Sequence, residues 1–205
     1  MMKATSLLLL ALFVFSNMYG QSYSENNVIE SERQTAGDDA YDLYLQGNHY
    51  YYGDGDMDKN VMKAFNLWIE SAEKGCAEAQ VMVGYCYGYD AGVFSGDYDK
   101  RWIEAYNWFL KAAEQGNSDA FYYLGEASYN GYGVKQNYKD AFMYYEKSAV
   151  MGNYKGMLGL GRCYELGCGV EKNVSQAIFL YERCTQGDDA FSARTAKYYL
   201  SQIPK

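Results

Sequence analysis

The stretch AFYYLGEASYNGYGVKQNYKDAFMYYEKSAVMG, residues 120–152, decides how the rest of the chain is read. Its spacing predicts two helices and two turns. Ala120 and Leu124 fall on one face of a first helix, with Gly125 beside them where a second backbone could approach closely. Gly131 and Gly133 supply positions at which a positive φ costs little, which ends that helix and reverses the chain. The side chain of Asn137 is placed to accept from an early amide of a second helix. That helix carries Ala141, Tyr144, Tyr145, Ser148 and Ala149 at steps of three and four, and Gly152 closes it.

The same order of residues recurs on either side. Downstream stand Leu160-Gly161, Gly167-Cys168-Gly169-Val170, Asn173, Ala177 and Gly187, with 36 residues from Ala141 to Ala177. Upstream stand Val83-Gly84, Tyr87, Ala105, Trp108-Phe109, Lys111-Ala112-Ala113-Glu114 and Gly116. Before them come Gly47, Tyr50, Gly53, Gly55, Asn60, Ala64, Trp68, Ala72 and Gly75. A single helical hairpin cannot bury its own apolar face, so four in series imply a stacked solenoid, with copies at about 38–75, 76–116, 117–152 and 153–187. Asp188–Ile203 then reads as a ninth helix covering the open end. Asp188 or Asp189 would cap it, Ala193, Ala196, Leu200 and Ile203 would form its apolar stripe, Arg194 and Lys197 would face out, and Pro204 would stop it. The second copy is longer, 41 residues from Ala64 to Ala105. Its excess falls in the turn from Tyr89 to Arg101, where Asp90, Asp97 and Asp99 make either a contact element or a plain solvated loop.

Taken together, Leu-Gly, Tyr, Gly-x-Gly-Val and a helix ending in Lys-Ala-Ala-Glu-x-Gly resemble the Sel-one-like repeats (SLR), relatives of the tetratricopeptide repeats, over roughly residues 40–187. Asp42, Gln46, Ser128 and the segment Cys184–Gly187 depart from that pattern, three of the four in the terminal copies, which lack a neighbour on one side. The resemblance implies an all-α, right-handed α/α superhelix of four two-helix repeats plus a C-terminal capping helix. It also implies a non-catalytic scaffold for protein–protein interaction whose first helices line the concave surface.

On that frame, 100° per residue counted from Leu124 sends a set of side chains to the side of the first helices opposite the core. They are Tyr44, Asn48 and Tyr51 in the first copy, Tyr85 in the second, Tyr122, Glu126 and Tyr129 in the third, and Arg162 and Glu165 in the fourth. These are the expected ligand-binding residues, for a peptide or protein segment held along the concave face. The other reading of the same tyrosines is that they pack against the neighbouring copy. A glycan or peptidoglycan fragment stacked on exposed tyrosines is an alternative ligand. A β-lactam hydrolase is a second alternative, since some secreted members of the wider family have been linked to that reaction and Ser71-Ala72-Glu73-Lys74 matches Ser-x-x-Lys. Against it, the positions equivalent to Ser71 are Ala112, Ser148 and Cys184, and no Lys-Thr-Gly occurs.

Residues 1–20 hold one lysine, an apolar run from Leu7 to Phe15 and then Ser16–Gly20, the layout of a secretory signal peptide with cleavage after Gly20. The run is too short to span a bilayer. Residues 21–37 are polar and read as a mobile leader. The expected location is therefore secreted or periplasmic, without membrane insertion after signal removal. Loss of Lys3 leaves 17 basic against 26 acidic residues, a formal charge of −9, which argues against nucleic acid and anionic membrane surfaces as partners.

No cofactor or metal is expected. Gly53-Asp54-Gly55-Asp56-Met57-Asp58 alternates carboxylates, but a calcium loop counted from Asp54 would need glycine at Lys59 and a bidentate acid at Phe65. His49 is the single histidine, placed at the edge of the first helix, so no His-based metal site or proton relay can form. The five cysteines lack metal-type spacing. The hairpin turn near residue 170 offsets Cys163 from Cys184 by about seven residues, or ~10 Å at the helical rise, so no internal disulfide is expected and Cys168 should be the most exposed thiol.

Overall fold

A computed structural model of the protein describes residues 37–53, 58–89 and 96–203. The expected signal peptide, residues 21–36 of the expected leader, positions 54–57, Asp90 and Pro204 lie outside them. The described residues form nine helices and no strand: α1 (Asp38–Tyr52), α2 (Val61–Glu73), α3 (Ala77–Gly88), α4 (Tyr98–Glu114), α5 (Ser118–Asn130), α6 (Tyr138–Val150), α7 (Tyr154–Leu166), α8 (Val174–Thr185) and α9 (Ala190–Gln202). They pair as four hairpins and a terminal helix, an all-α superhelix of repeats.

Local chemistry sets the helix ends. Asn60, Asn137 and Asn173 sit in extended backbone before α2, α6 and α8, and their side chains accept amides of the first turn. Asn117, Asn153 and Asp189 do the same before α5, α7 and α9. Gly131 and Gly167 close α5 and α7 in the left-handed region, at φ 80° and 76°. The second glycine of each Gly-x-Gly has a further duty. A Cβ on Gly133 would run into the Trp102 carbonyl, and one on Gly169 into that of Tyr138, so each turn lies directly on the backbone of the preceding repeat's second helix.

The long second copy is only partly loop. Asp97 accepts from the amides of Asp99 and Lys100, and α4 starts at Tyr98, one turn earlier than the equivalent α6 and α8. Asp97 therefore serves as a cap and Asp99 belongs to the first turn of a helix, where its charge faces the positive helix end.

Within each hairpin one contact is repeated. An aromatic side chain of the second helix packs against a glycine of the first: Trp68 on Gly47, Phe109 on Gly84, Tyr145 on Gly125 and Tyr181 on Gly161. A Cβ on Gly125 would stand 2.6 Å from the Tyr145 ring. What Gly125 admits is thus a ring, where the spacing had suggested a backbone. A second repeated contact sits at the small positions: Ser71 Oγ donates to the Ala40 carbonyl (2.5 Å), Ser148 Oγ to Ser118 (2.8 Å) and Cys184 Sγ to Tyr154 (3.6 Å). Each ties the end of a second helix to the start of its partner.

Helix α9 continues the register as half a repeat, since Asp189 follows Asn153 by 36 residues, as Asn153 follows Asn117. Ser192 and Ala196 are buried, and Tyr199, Leu200 and Ile203 pack on the fourth hairpin. Lys197 occupies the place where Gly125 and Gly161 stand in the preceding repeats, and it is exposed. A lysine there replaces the small residue on which a second-helix ring seats in the preceding repeats.

Candidate functional site

The first helices touch the first helices of adjacent repeats, α1 with α3, α5 with α7 and α7 with α9, whereas second helices make no contact of similar extent with one another. A stack spaced more closely along one side curves toward it, so the first helices line the inside. Between α3 and α5 the spacing is filled by rings. Tyr85 stacks on Tyr89 (centroids 5.3 Å), and Tyr123 lies 6.1 Å from Tyr85, 5.7 Å from Tyr89 and 5.0 Å from Tyr122. Lys155 Nζ of α7 stands 6.0 Å from the rings of both Tyr122 and Tyr123 and pairs with Asp119 at 3.5 Å. Beyond it, the Arg162 guanidinium lies 5.5 Å over the ring of Tyr199 in α9.

The nine expected ligand residues fall into three sets in this geometry. Tyr85, Tyr122 and Arg162 belong to the band just described. Asn48, Glu126 and Glu165 point instead at the rings that seat on the glycines: Trp68 Nε1 donates to Asn48 Oδ1 (3.2 Å), Tyr145 Oη to Glu126 Oε1 (2.5 Å) and Tyr181 Oη to Glu165 Oε2 (2.7 Å). A buried phenol or indole needs an acceptor, and the first helix supplies it, from the residue after the glycine at Asn48 and Glu126 and from one turn further on at Glu165. Phe109 needs none, which leaves Tyr85, at the position equivalent to Asn48 and Glu126, unencumbered by that role. Tyr44 and Tyr51 pack on the first core cluster, and burial pushes the Tyr44 hydroxyl up to about 12. Tyr129 reaches the next turn, 3.9 Å from Cys168 Sγ, with its ring 5.1 Å from that of Tyr138.

Sequence reasoning missed Tyr89, Tyr123, Lys155 and Tyr199. Tyr123 lies next to the counted face, Tyr89 falls at the start of the expected turn, and Lys155 and Tyr199 reach the band from neighbouring repeats. The 36-residue register places Tyr199 at the core position of Ala127 and Cys163, so the count that selects Tyr122 and Glu126 passes it over.

The Ser-x-x-Lys constellation is not assembled: Ser71 is fully buried on the Ala40 carbonyl, while Lys74 pairs with Glu70 at 3.0 Å. Among the described residues no cluster of His, Cys, Asp or Glu could hold a metal ion, and no helix is long and apolar enough to cross a membrane. All five cysteines are free thiols, four of them buried and Cys168 half-buried. Burial pushes Cys76 up to about 11 and Cys163 and Cys184 up to about 12, which keeps them protonated and inert at neutral pH.

The Sel1 repeat family matches residues 41–76, 77–117, 118–153 and 155–185. The chain is a Sel1 repeat protein. Three solved structures share its fold. A protective antigen of uropathogenic Escherichia coli displaying an SLR fold is 25% identical, with a TM-score of 0.70 over 94% of this chain and 40% of its own. A Sel1 repeat protein from Oxalobacter formigenes is 29% identical, with a TM-score of 0.65 over 82% of this chain and 70% of its own. Cysteine-rich protein B of Helicobacter pylori is 23% identical, with a TM-score of 0.51 over 66% of this chain and 97% of its own, and shows the fold alone. Among curated proteins none matches this chain. Sel1 repeat proteins are in general non-catalytic scaffolds that bind other proteins.

Proposed function

We propose that this Sel1 repeat protein is a non-catalytic scaffold of the periplasm or secretory route that holds a peptide or protein segment along its first-helix face. The observation that carries the reading is the band of Tyr85, Tyr89, Tyr122, Tyr123 and Tyr199 with Lys155 and Arg162 set into it. Rigid amphipathic rings give contact area at low entropic cost, their hydroxyls serve peptide carbonyls, and interspersed cations add charge-assisted donors. The layout of residues 1–20 supports export.

The test is recovery of a partner from a native envelope fraction by wild type and by the Tyr85→Ser, Tyr122→Ser, Arg162→Ala variant. The expected result is a protein recovered by wild type and lost with the variant, at unchanged helicity. Recovery of glycan in place of protein, or equal recovery by the variant, would overturn the reading.

A further inference from the structure

The outer side of the solenoid holds a feature that the inner band does not account for. Between α6 and α8, with α7 as its floor, lies a groove of about 580 Å³. Met157, Leu160 and Leu180 form its base, Val150 and Phe179 its walls, and Arg183 stands at its edge. None of the expected ligand residues lines it. Its volume lies in the ~300–1,000 Å³ range of pockets that enclose organic groups.

Repeat register shows why it is open. Trp108, Tyr144 and Leu180 follow one another at 36-residue steps, as do Lys111, Lys147 and Arg183. In the groove between α2 and α4 the Trp108 indole packs on the core beneath, with Lys111 Nζ 3.8 Å over its ring. In the groove between α4 and α6, Tyr144 and Phe121 fill the space, with Lys147 Nζ 5.4 Å over Phe121. In the third groove Tyr144 gives way to Leu180 and Phe121 to Met157, so no ring stands at either of those two positions; the rings that line the groove are Tyr164 and Phe179. Arg183 has neither an ion pair nor a ring beneath it among the described residues. The chain thus displays twice, with its own side chains, what the third groove is shaped to take. The rim balances Glu146 and Glu171 against Lys172 and Arg183, which complements the neutral backbone of a peptide better than a charged small molecule.

We propose that this groove is an anchor site for an aromatic side chain on a partner protein's peptide segment, with its ring on Met157 and Leu180 and the Arg183 guanidinium against its face. The test follows amide NMR shifts of Val150, Met157 and Arg183 during titration with N-acetyl-tryptophanamide, N-acetyl-leucinamide and free tryptophan. The aromatic amide should shift these signals at concentrations where the leucine amide does not. Leu180→Trp, which restores the arrangement of Trp108, should abolish the response, and Arg183→Gln should weaken it about threefold. No response, an equal response to the leucine amide, persistence in Leu180→Trp, or tighter binding of free tryptophan would overturn the proposal. If Leu180→Trp fails to fold, Arg183→Gln decides, because unchanged affinity there removes the guanidinium from the site.

Discussion

The Tyr145 hydroxyl donates to the Glu126 carboxylate at 2.5 Å, while its ring lies over Gly125, the residue before that acceptor. One side chain thus fixes two hairpin contacts: close packing, which tolerates no Cβ, and a polar tip, which needs an acceptor. Gly125→Ala should force the ring and α5 apart and lower stability by about 1–3 kcal/mol, read from urea unfolding. An unchanged midpoint would show that ring and helix are not in contact.

Tyr145→Phe keeps the ring and removes the donor. Because Glu126 is only half-buried and water can replace the phenol, a loss near the low end of ~1–3 kcal/mol is expected from the same unfolding curves. A variant as stable as wild type would mean that the carboxylate is already solvated in the native protein.

Alkali should unfold the protein through its tyrosines. Burial raises Tyr44 and Tyr129 to about 12 from the ordinary 10.0, Tyr129 with a further push from the Cys168 thiol, and Tyr123, Tyr145 and Tyr181 move in the same direction. Below about pH 10 both folded and unfolded chains keep these protons; above it the unfolded chain releases protons that the folded chain retains. Stability should therefore begin to fall near pH 9, where the unfolded chain releases thiol protons that buried Cys76, Cys163 and Cys184 retain, and fall further from about 10 through 12 as the tyrosines follow, with phenolate absorbance appearing together with loss of helicity. Tyrosines that titrate fully while the helices persist would contradict this.

Thiol chemistry separates Cys168 from the rest. In the native protein Ellman's reagent should react promptly with that half-buried thiol alone, whereas denaturation should release all five. A denatured, non-reduced count of three or one would reveal disulfides and refute the helix registers.

Deleting Asp188–Lys205 removes α9 and uncovers the faces that Ala196, Tyr199 and Leu200 protect, including the Tyr181 ring 5.2 Å from that of Tyr199. The expected cost is on the order of 3 kcal/mol and a lower melting temperature, with the fourth hairpin opening first in hydrogen exchange. An unaltered melting curve would deny α9 a capping role.

Residue chemistry by itself determined the repeat architecture, because each of its signals acts locally. Asn60, Asn137 and Asn173 satisfy amides two or three residues away, Gly131 and Gly167 adopt a backbone geometry that other residues avoid, and small residues recur where two helices of one hairpin meet. The terminal helix was legible for the same reason, through Asp189 and its apolar stripe. Only the tertiary structure decided which side chains remain available to a partner. Counting 100° per residue places Asn48, Glu126 and Glu165 away from Leu124, yet it cannot see that a ring from the second helix arrives beside them with a donor to satisfy. Nor can it see that Lys155 and Tyr199 come from other repeats to join Tyr122 and Arg162. The outer groove has the same origin: Leu180 is an ordinary core leucine in the sequence, and it becomes a vacancy only where stacked repeats place it opposite Val150 and Met157, in the space that Tyr144 fills one repeat earlier. Such features depend on the distance between surfaces far apart in the chain, which packing sets and local pattern does not record.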